Sequence, residues 1–131
     1  MANPNQLNPD FIGPISAAGY RDLEEKGVSI TCVETNGTTS VNIFGSTNPF
    51  NGVIKGWFSS AKSGLAATIT MYNDAASVGT IAKGTTTGGL VGPTGDLSNT
   101  TVAKDGSVYI ISNSANAEAA AYVYIAFSVT D

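Results

Sequence analysis

The sequence predicts an all-β domain, an antiparallel two-layer or barrel-like fold preceded by an extended arm, and three observations carry that prediction. Gly, Thr, Ser and Asn together supply 54 of the 131 residues, while Asp, Glu, Lys and Arg supply only 12%. Such small, turn-forming and β-branched residues suit strands broken by many turns. From residue 28 onward apolar residues recur with period two, in about eight short runs spaced roughly ten residues apart, the pattern of a sandwich, jelly roll or barrel. Finally, no ten-residue segment carries a helical stripe and no repeat of fixed period is present, which sets propellers and solenoids aside. A hydrophobic fraction of 42% supports a packed core, and the length suits one domain burying roughly two-thirds of its unfolded surface.

The chain divides at about Gly27, giving an N-terminal arm with a short helical turn over residues 1–26 and a β domain over 27–131. In the arm, Asn3, Asn5 and Asn8 alternate with Pro4, Pro9 and Pro14. Proline at this spacing neither donates to a ladder nor continues a helix, so residues 1–19 read as extended chain. Leu7, Phe11, Ile12 and Ile15 lie within that stretch, and a solvated tail has no use for them. Arg21 to Lys26 is long enough for a turn or two of helix, with Gly27 placed to end it in a left-handed conformation.

The body begins with Val28, Ile30 and Cys32 alternating with Ser29 and Thr31, followed by Asn36-Gly37 and then Val41 and Ile43. Asn-Gly between alternating runs predicts a hairpin, because both residues tolerate the positive φ of a type I′ turn. Gly52–Ser60 is a third strand, with Ile54 and Phe58 on one face and Lys55 and Trp57 on the other. Leu65, Ala67, Ile69 and Met71 alternate with Ala66, Thr68, Thr70 and Tyr72 in a fourth, and Val78–Lys83 forms a fifth after the turn at Asn73-Asp74. Gly84–Gly95, with five glycines, Pro93 and three consecutive threonines, is a long loop or irregular edge. Thr100–Lys104, Asp105-Gly106 and Ser107–Asn113 suggest a second hairpin. The last strand places Ala121, Val123, Ile125, Phe127 and Val129 on one face, with Tyr122, Tyr124, Ala126 and Ser128 opposite.

Several of these segments carry a resemblance. Gly52–Phe58 (GVIKGWF), Ala67–Asn73 (ATITMYN), the Gly/Thr-rich stretch 84–95, the short strand ahead of Asp105-Gly106 and Ala121–Val129 (AYVYIAFSV) mark a layout that runs from Val53 to Asp131, some 80 of the 131 residues. Their layout resembles that of the small jelly-roll virion proteins of tailed phages, of the head-decoration and head-fibre type. The resemblance implies an antiparallel β-sandwich of jelly-roll type. It also implies a structural role on a particle surface as a homo-oligomer, a trimer being one form, and it brings no catalytic or ligand-binding residue with it. A virion protein of this kind is made in the host cytoplasm.

Composition narrows the chemistry independently. With no histidine, the commonest general base, transition-metal ligand and pH switch is missing. The single cysteine, Cys32, excludes an internal disulfide and any multi-cysteine metal site. Its place beside Val28 and Ile30 suggests a buried, inert thiol, as suits a reducing compartment. Six basic against ten acidic residues leave no electrostatic footprint for nucleic acid or an anionic membrane. Residues 1–20 lack the basic and apolar regions of a secretory signal, and the longest apolar stretch, Ala119–Thr130, is too short for a membrane helix. The carboxylates Asp22, Glu24, Glu25, Glu34, Asp74, Asp96, Asp105 and Glu118 show no pairing of the glycosidase kind. Nor do Asp74, Asp96 and Asp105 match the spacing of a calcium loop. The sequence therefore predicts a non-enzymatic protein without cofactor or metal.

What remains is binding. Trp57, Tyr72, Tyr122 and Tyr124 fall opposite the aliphatic positions of their strands. Aromatics so placed can anchor a subunit or the arm, can stack on a sugar ring as in a carbohydrate-binding module, or can simply pair across strands. In the arm, Leu7, Phe11, Ile12 and Ile15 each gain roughly 1.5–3 kcal/mol on full burial, while ordering each residue costs about 1–2 kcal/mol. The arm is near neutral alone and orders against a surface offering apolar pockets, such as a neighbouring subunit or a larger particle like a capsid.

Overall fold

A computed structural model of the chain describes residues 28–130. The predicted arm and helical turn, with Leu7, Phe11, Ile12 and Ile15, lie outside the described residues. Nine strands are present: β1 (Val28–Glu34), β2 (Val41–Asn42), β3 (Gly52–Ala61), β4 (Ala67–Asn73), β5 (Ala76–Lys83), β6 (Leu90–Val91), β7 (Thr101–Val102), β8 (Val108–Ser112) and β9 (Ala121–Val129). They form two antiparallel sheets, as a β-sandwich requires. One has the order β1-β9-β3-β6, with β7 pairing the start of β3 and β6 its end, and the other runs β2-β8-β4-β5. A 3-10 turn at Ala117–Ala119 leads into β9, with the Glu118 N–H donating to the Asn116 side chain.

The core lies between the sheets. Ala121, Val123 and Ile125 of β9 are fully buried, facing Ile69 and Met71 of β4, Val78 and Ile81 of β5, and Val108 and Ile110 of β8. At one end Phe127 packs edge-on against Phe44 at 4.8 Å and stacks on Phe50 at 5.3 Å. In β4 and β9 these are the apolar phases the sequence predicts, because side chains two apart along a strand share a face.

Three expectations fail, each for a physical reason. First, neither predicted hairpin exists. Gly37 does adopt φ 54° and Thr39 N–H donates to the Asn36 carbonyl at 2.9 Å, yet β1 then pairs only with β9 while β2 pairs with β8 in the opposite sheet. Asp105 (φ 70°) likewise turns the chain from β7 in one sheet to β8 in the other. A turn fixes local φ and ψ, and the partner is chosen by the surface each strand can bury. The one tight hairpin is β4–β5, turning at Asp74.

Second, β1 has the opposite phase. Thr31 and Val33 lie opposite Ile125 and Val123, and directly paired residues share a face, so they point inward. Ile30 and Cys32 therefore face out, Ile30 being 63% exposed and the Cys32 thiol free and exposed rather than buried. The apolar inner face of β9 sets this register, since a slip of one residue would expose all of it.

Third, β3 carries a bulge at Lys55, where Ile54 pairs with Phe127 but Gly56 pairs with the next residue, Ala126. The extra residue reverses the alternation beyond it. Trp57 therefore joins Ile54 in the core at 3% exposure, and Phe58 is displaced to the outside.

Candidate interaction surface

The outer face of the five-stranded sheet is built by register. Tyr122, Tyr124 and Ala126 alternate outward from β9, and across from them stand Ser60, Phe58 and Gly56 of β3. On the other flank lie Glu34, Cys32 and Ile30 of β1, while Leu90 of β6 pairs with Ser60 at the far edge. Phe58 and Tyr124 stack at 5.2 Å between ring centroids with planes 19° apart. Ile30 and Leu90 are both more than 60% exposed, and Tyr122 is 39% exposed. Next to the stacked pair the surface dips: Ala126 and Gly56 are small, and a Cβ added at Gly56 would meet nothing within 4 Å. The result is a shallow trough walled on one side by the Phe58–Tyr124 stack and at the β1 end by Ile30.

Charge at this surface is sparse and largely cancelled. Lys62 Nζ donates to Glu34 Oε2 at 2.8 Å and sits 5.3 Å from the centre of the Tyr122 ring. The hydrogen bond and then the charge of Glu34 raise the Lys62 pKa above its ordinary value. Lys55 stands exposed in the bulge. Wide, weakly charged and aromatic, the face has the make-up of a protein contact surface, where desolvation costs little.

The sequence-predicted aromatics do not form one face. Trp57 is in the core, with no surface from which to touch a partner. Tyr122 and Tyr124 share the outer face of the five-stranded sheet. Tyr72 lies half-buried on the outside of the other sheet, stacked on Tyr109 at 5.3 Å beside a shallow recess of about 310 Å³ whose walls include Thr68, Thr70 and Ile111. Ile30, Phe58 and Leu90 escaped the sequence reading. Gly56, a glycine inside an otherwise regular strand, was the available sign that β3 is bulged and its faces exchanged.

Other polar features are structural. Lys83, buried at 2% exposure, donates its ammonium protons to the carbonyls of Ser63 (2.9 Å), Gly84 (3.3 Å) and Leu65, tying the β3–β4 connection to the end of β5. Burial lowers its pKa from the ordinary value. Buried Asn48 donates to the Ala103 carbonyl at 3.0 Å and, through its backbone, holds Asp105 and Gly106. Asp74 accepts from Ser107 N–H at 3.0 Å, so this carboxylate is spent on a turn. Among the described residues no three His, Cys, Asp or Glu side chains gather as a metal site would need, and no helix is long and apolar enough to cross a membrane. Comparison with protein-family models, with curated proteins and with solved structures gives no match.

Proposed function

We propose that this chain is a non-enzymatic structural subunit of jelly-roll type, assembling with copies of itself and attaching to a larger protein particle as a virion-surface protein. The observation that carries the reading is the outer face of the five-stranded sheet, an apolar, nearly uncharged surface with Ile30, Leu90 and Tyr122 open to solvent. Solitary exposed apolar residues need no explanation, whereas a contiguous set on one sheet face marks an interaction surface. The strand order supports the jelly-roll part, since β1-β9-β3-β6 against β2-β8-β4-β5 sends most successive strands to opposite sheets. Two Greek keys wound together produce that alternation, and capsid domains are among the folds that use it. Among the described residues nothing pairs with the outer edge of β1, whose seven residues include Glu34 as their one charge, and such an edge is a liability unless covered. Proteomics on virions purified from the source culture tests the reading. The chain is expected in many copies per particle, and recovery solely from the particle-free fraction would refute it.

A second reading, a carbohydrate-binding module, draws on the other sheet, where the Tyr72–Tyr109 stack borders a recess of uncharged hydroxyl-bearing residues. Binding on a glycan array that Tyr72→Ala abolishes with the fold intact would favour it. Trp57→Ala is no test of this reading, because Trp57 is in the core.

A further inference from the structure

We propose that the trough over Ala126 and Gly56 receives the Leu7–Ile15 segment of a neighbouring copy of this chain. The proposal rests on the reading of the chain as an assembling subunit, since the donor is a second copy. Four observations lead to it. The 27 residues outside the described part join the body at Val28, the first residue of β1, which is the edge strand of the sheet that bears the trough. Leu7, Phe11, Ile12 and Ile15 are four apolar residues within nine positions, and each gains roughly 1.5–3 kcal/mol only on burial. The trough matches such side chains, with a floor of Ala126 and Gly56 open above, a wall of stacked aromatic rings, and Ile30 at its end. Finally, Pro9 and Pro14 remove two backbone donors from the segment, so it is better suited to lying side chains-down on a sheet face than to extending the β1 ladder.

Reach and charge agree with this assignment. Twelve residues separate Ile15 from Val28, and with the predicted helical turn over 21–26 at about 1.5 Å per residue and the other six at about 3.3 Å each they reach roughly 30 Å, wider than a sheet of strands about 4.8 Å apart. A neighbouring body is therefore accessible. Between Leu7 and Ile15 the only charge is Asp10, and Lys55, exposed in the bulge next to Gly56, puts a cation at the trough.

Cys32 supplies a reporter. It is the only cysteine, it is exposed in the described body, and it lies opposite Tyr124 beside the trough. The experiment measures the rate of Cys32 reaction with a thiol reagent in the full chain, together with sedimentation of the same samples. In the assembled chain labelling should be slow, and both Phe11→Ala/Ile12→Ala and Gly56→Leu should accelerate it about tenfold or more, as expected when a covering contact once closed nine-tenths of the time is released. Gly56→Leu fills the trough without touching the core, and Gly56 has no positive φ to strain, so circular dichroism and melting should remain native. An assembled chain whose Cys32 stays slow in Phe11→Ala/Ile12→Ala overturns the docking site while leaving assembly standing. A chain that sediments as a single copy overturns both, and Phe11-dependent protection in such a monomer would place the segment on its own sheet, contradicting the exchange.

Discussion

Trp57→Ala beside Phe58→Ala tests the bulge that sets both faces of β3. Trp57 is 3% exposed and packed within the cluster between the sheets, whereas Phe58, its sequence neighbour, is half-buried outside and stacked on Tyr124. Truncating a buried Trp removes its transfer free energy and leaves a cavity, costing about 3–5 kcal/mol. The Trp57 indole N–H finds no partner among the described residues, and losing that unpaired donor trims the cost toward the lower figure. Phe58→Ala loses one aromatic pair and part of its burial, about 1–2 kcal/mol. In melting temperature, the first change is worth roughly 10–20 °C and the second roughly 3–8 °C for a domain of this size. Urea unfolding followed by circular dichroism is the assay, because Trp57 is the only tryptophan and its substitution removes the fluorescence signal. Uninterrupted alternation from Ile54 would instead make Phe58 the core residue. A larger loss for Phe58→Ala than for Trp57→Ala would refute the bulge and the outer face built on it.

Lys83→Met should destabilise by about 2–4 kcal/mol in chemical denaturation, since it leaves three carbonyls around a buried position without their charged donor. Burial lowers the Lys83 pKa, so the unfolded chain binds the extra proton in the window below 10.5. The stability of the wild type relative to Lys83→Met should therefore rise as pH increases through that window, and a falling difference would contradict the assigned burial. Ser59→Ala should be neutral or stabilising by up to about 1 kcal/mol in the same assay, because the Ser59 hydroxyl is buried with no hydrogen-bond partner among the described residues. Glu34→Gln should remove the carboxylate charge that helps raise the Lys62 pKa and weaken its hydrogen bond, so that NMR titration finds Lys62 losing its proton at lower pH than in the wild type.

Much of the sandwich was legible in the residues because period two is a local property. β9 and β4 show it cleanly, and Val123, Ile125, Ile69 and Met71 are buried as their alternation requires. The phase of β1 was not legible, since Val28-Ile30-Cys32 and Thr31-Val33 are both plausible inner sets and only pairing with β9 selects one. Asn36-Gly37 and Asp105-Gly106 signalled turns correctly, but a turn residue carries no record of whether the chain returns in its own sheet or crosses to the other. Lys83 gave no hint of burial, because its partners are backbone carbonyls of a distant loop, chosen by packing and invisible to side-chain type. The candidate surface was half visible: Tyr122 and Tyr124 were identified from alternation, while Trp57 was exchanged for Phe58 by a single bulged residue. Tyr72 faces outward as expected, although from the opposite side of the sandwich.

The apolar outer face of the five-stranded sheet is central to the functional account, and sedimentation velocity of the full chain beside Ile30→Lys tests it most directly. Ile30 is 63% exposed on the edge strand, so lysine there leaves the core untouched while setting a charge into the proposed interface, the device by which natural edge strands avoid association. The wild type should sediment as a multi-copy species and Ile30→Lys as a single chain with native circular dichroism. Equal sedimentation of the two, whether both single or both assembled, would contradict the assignment of this face to assembly.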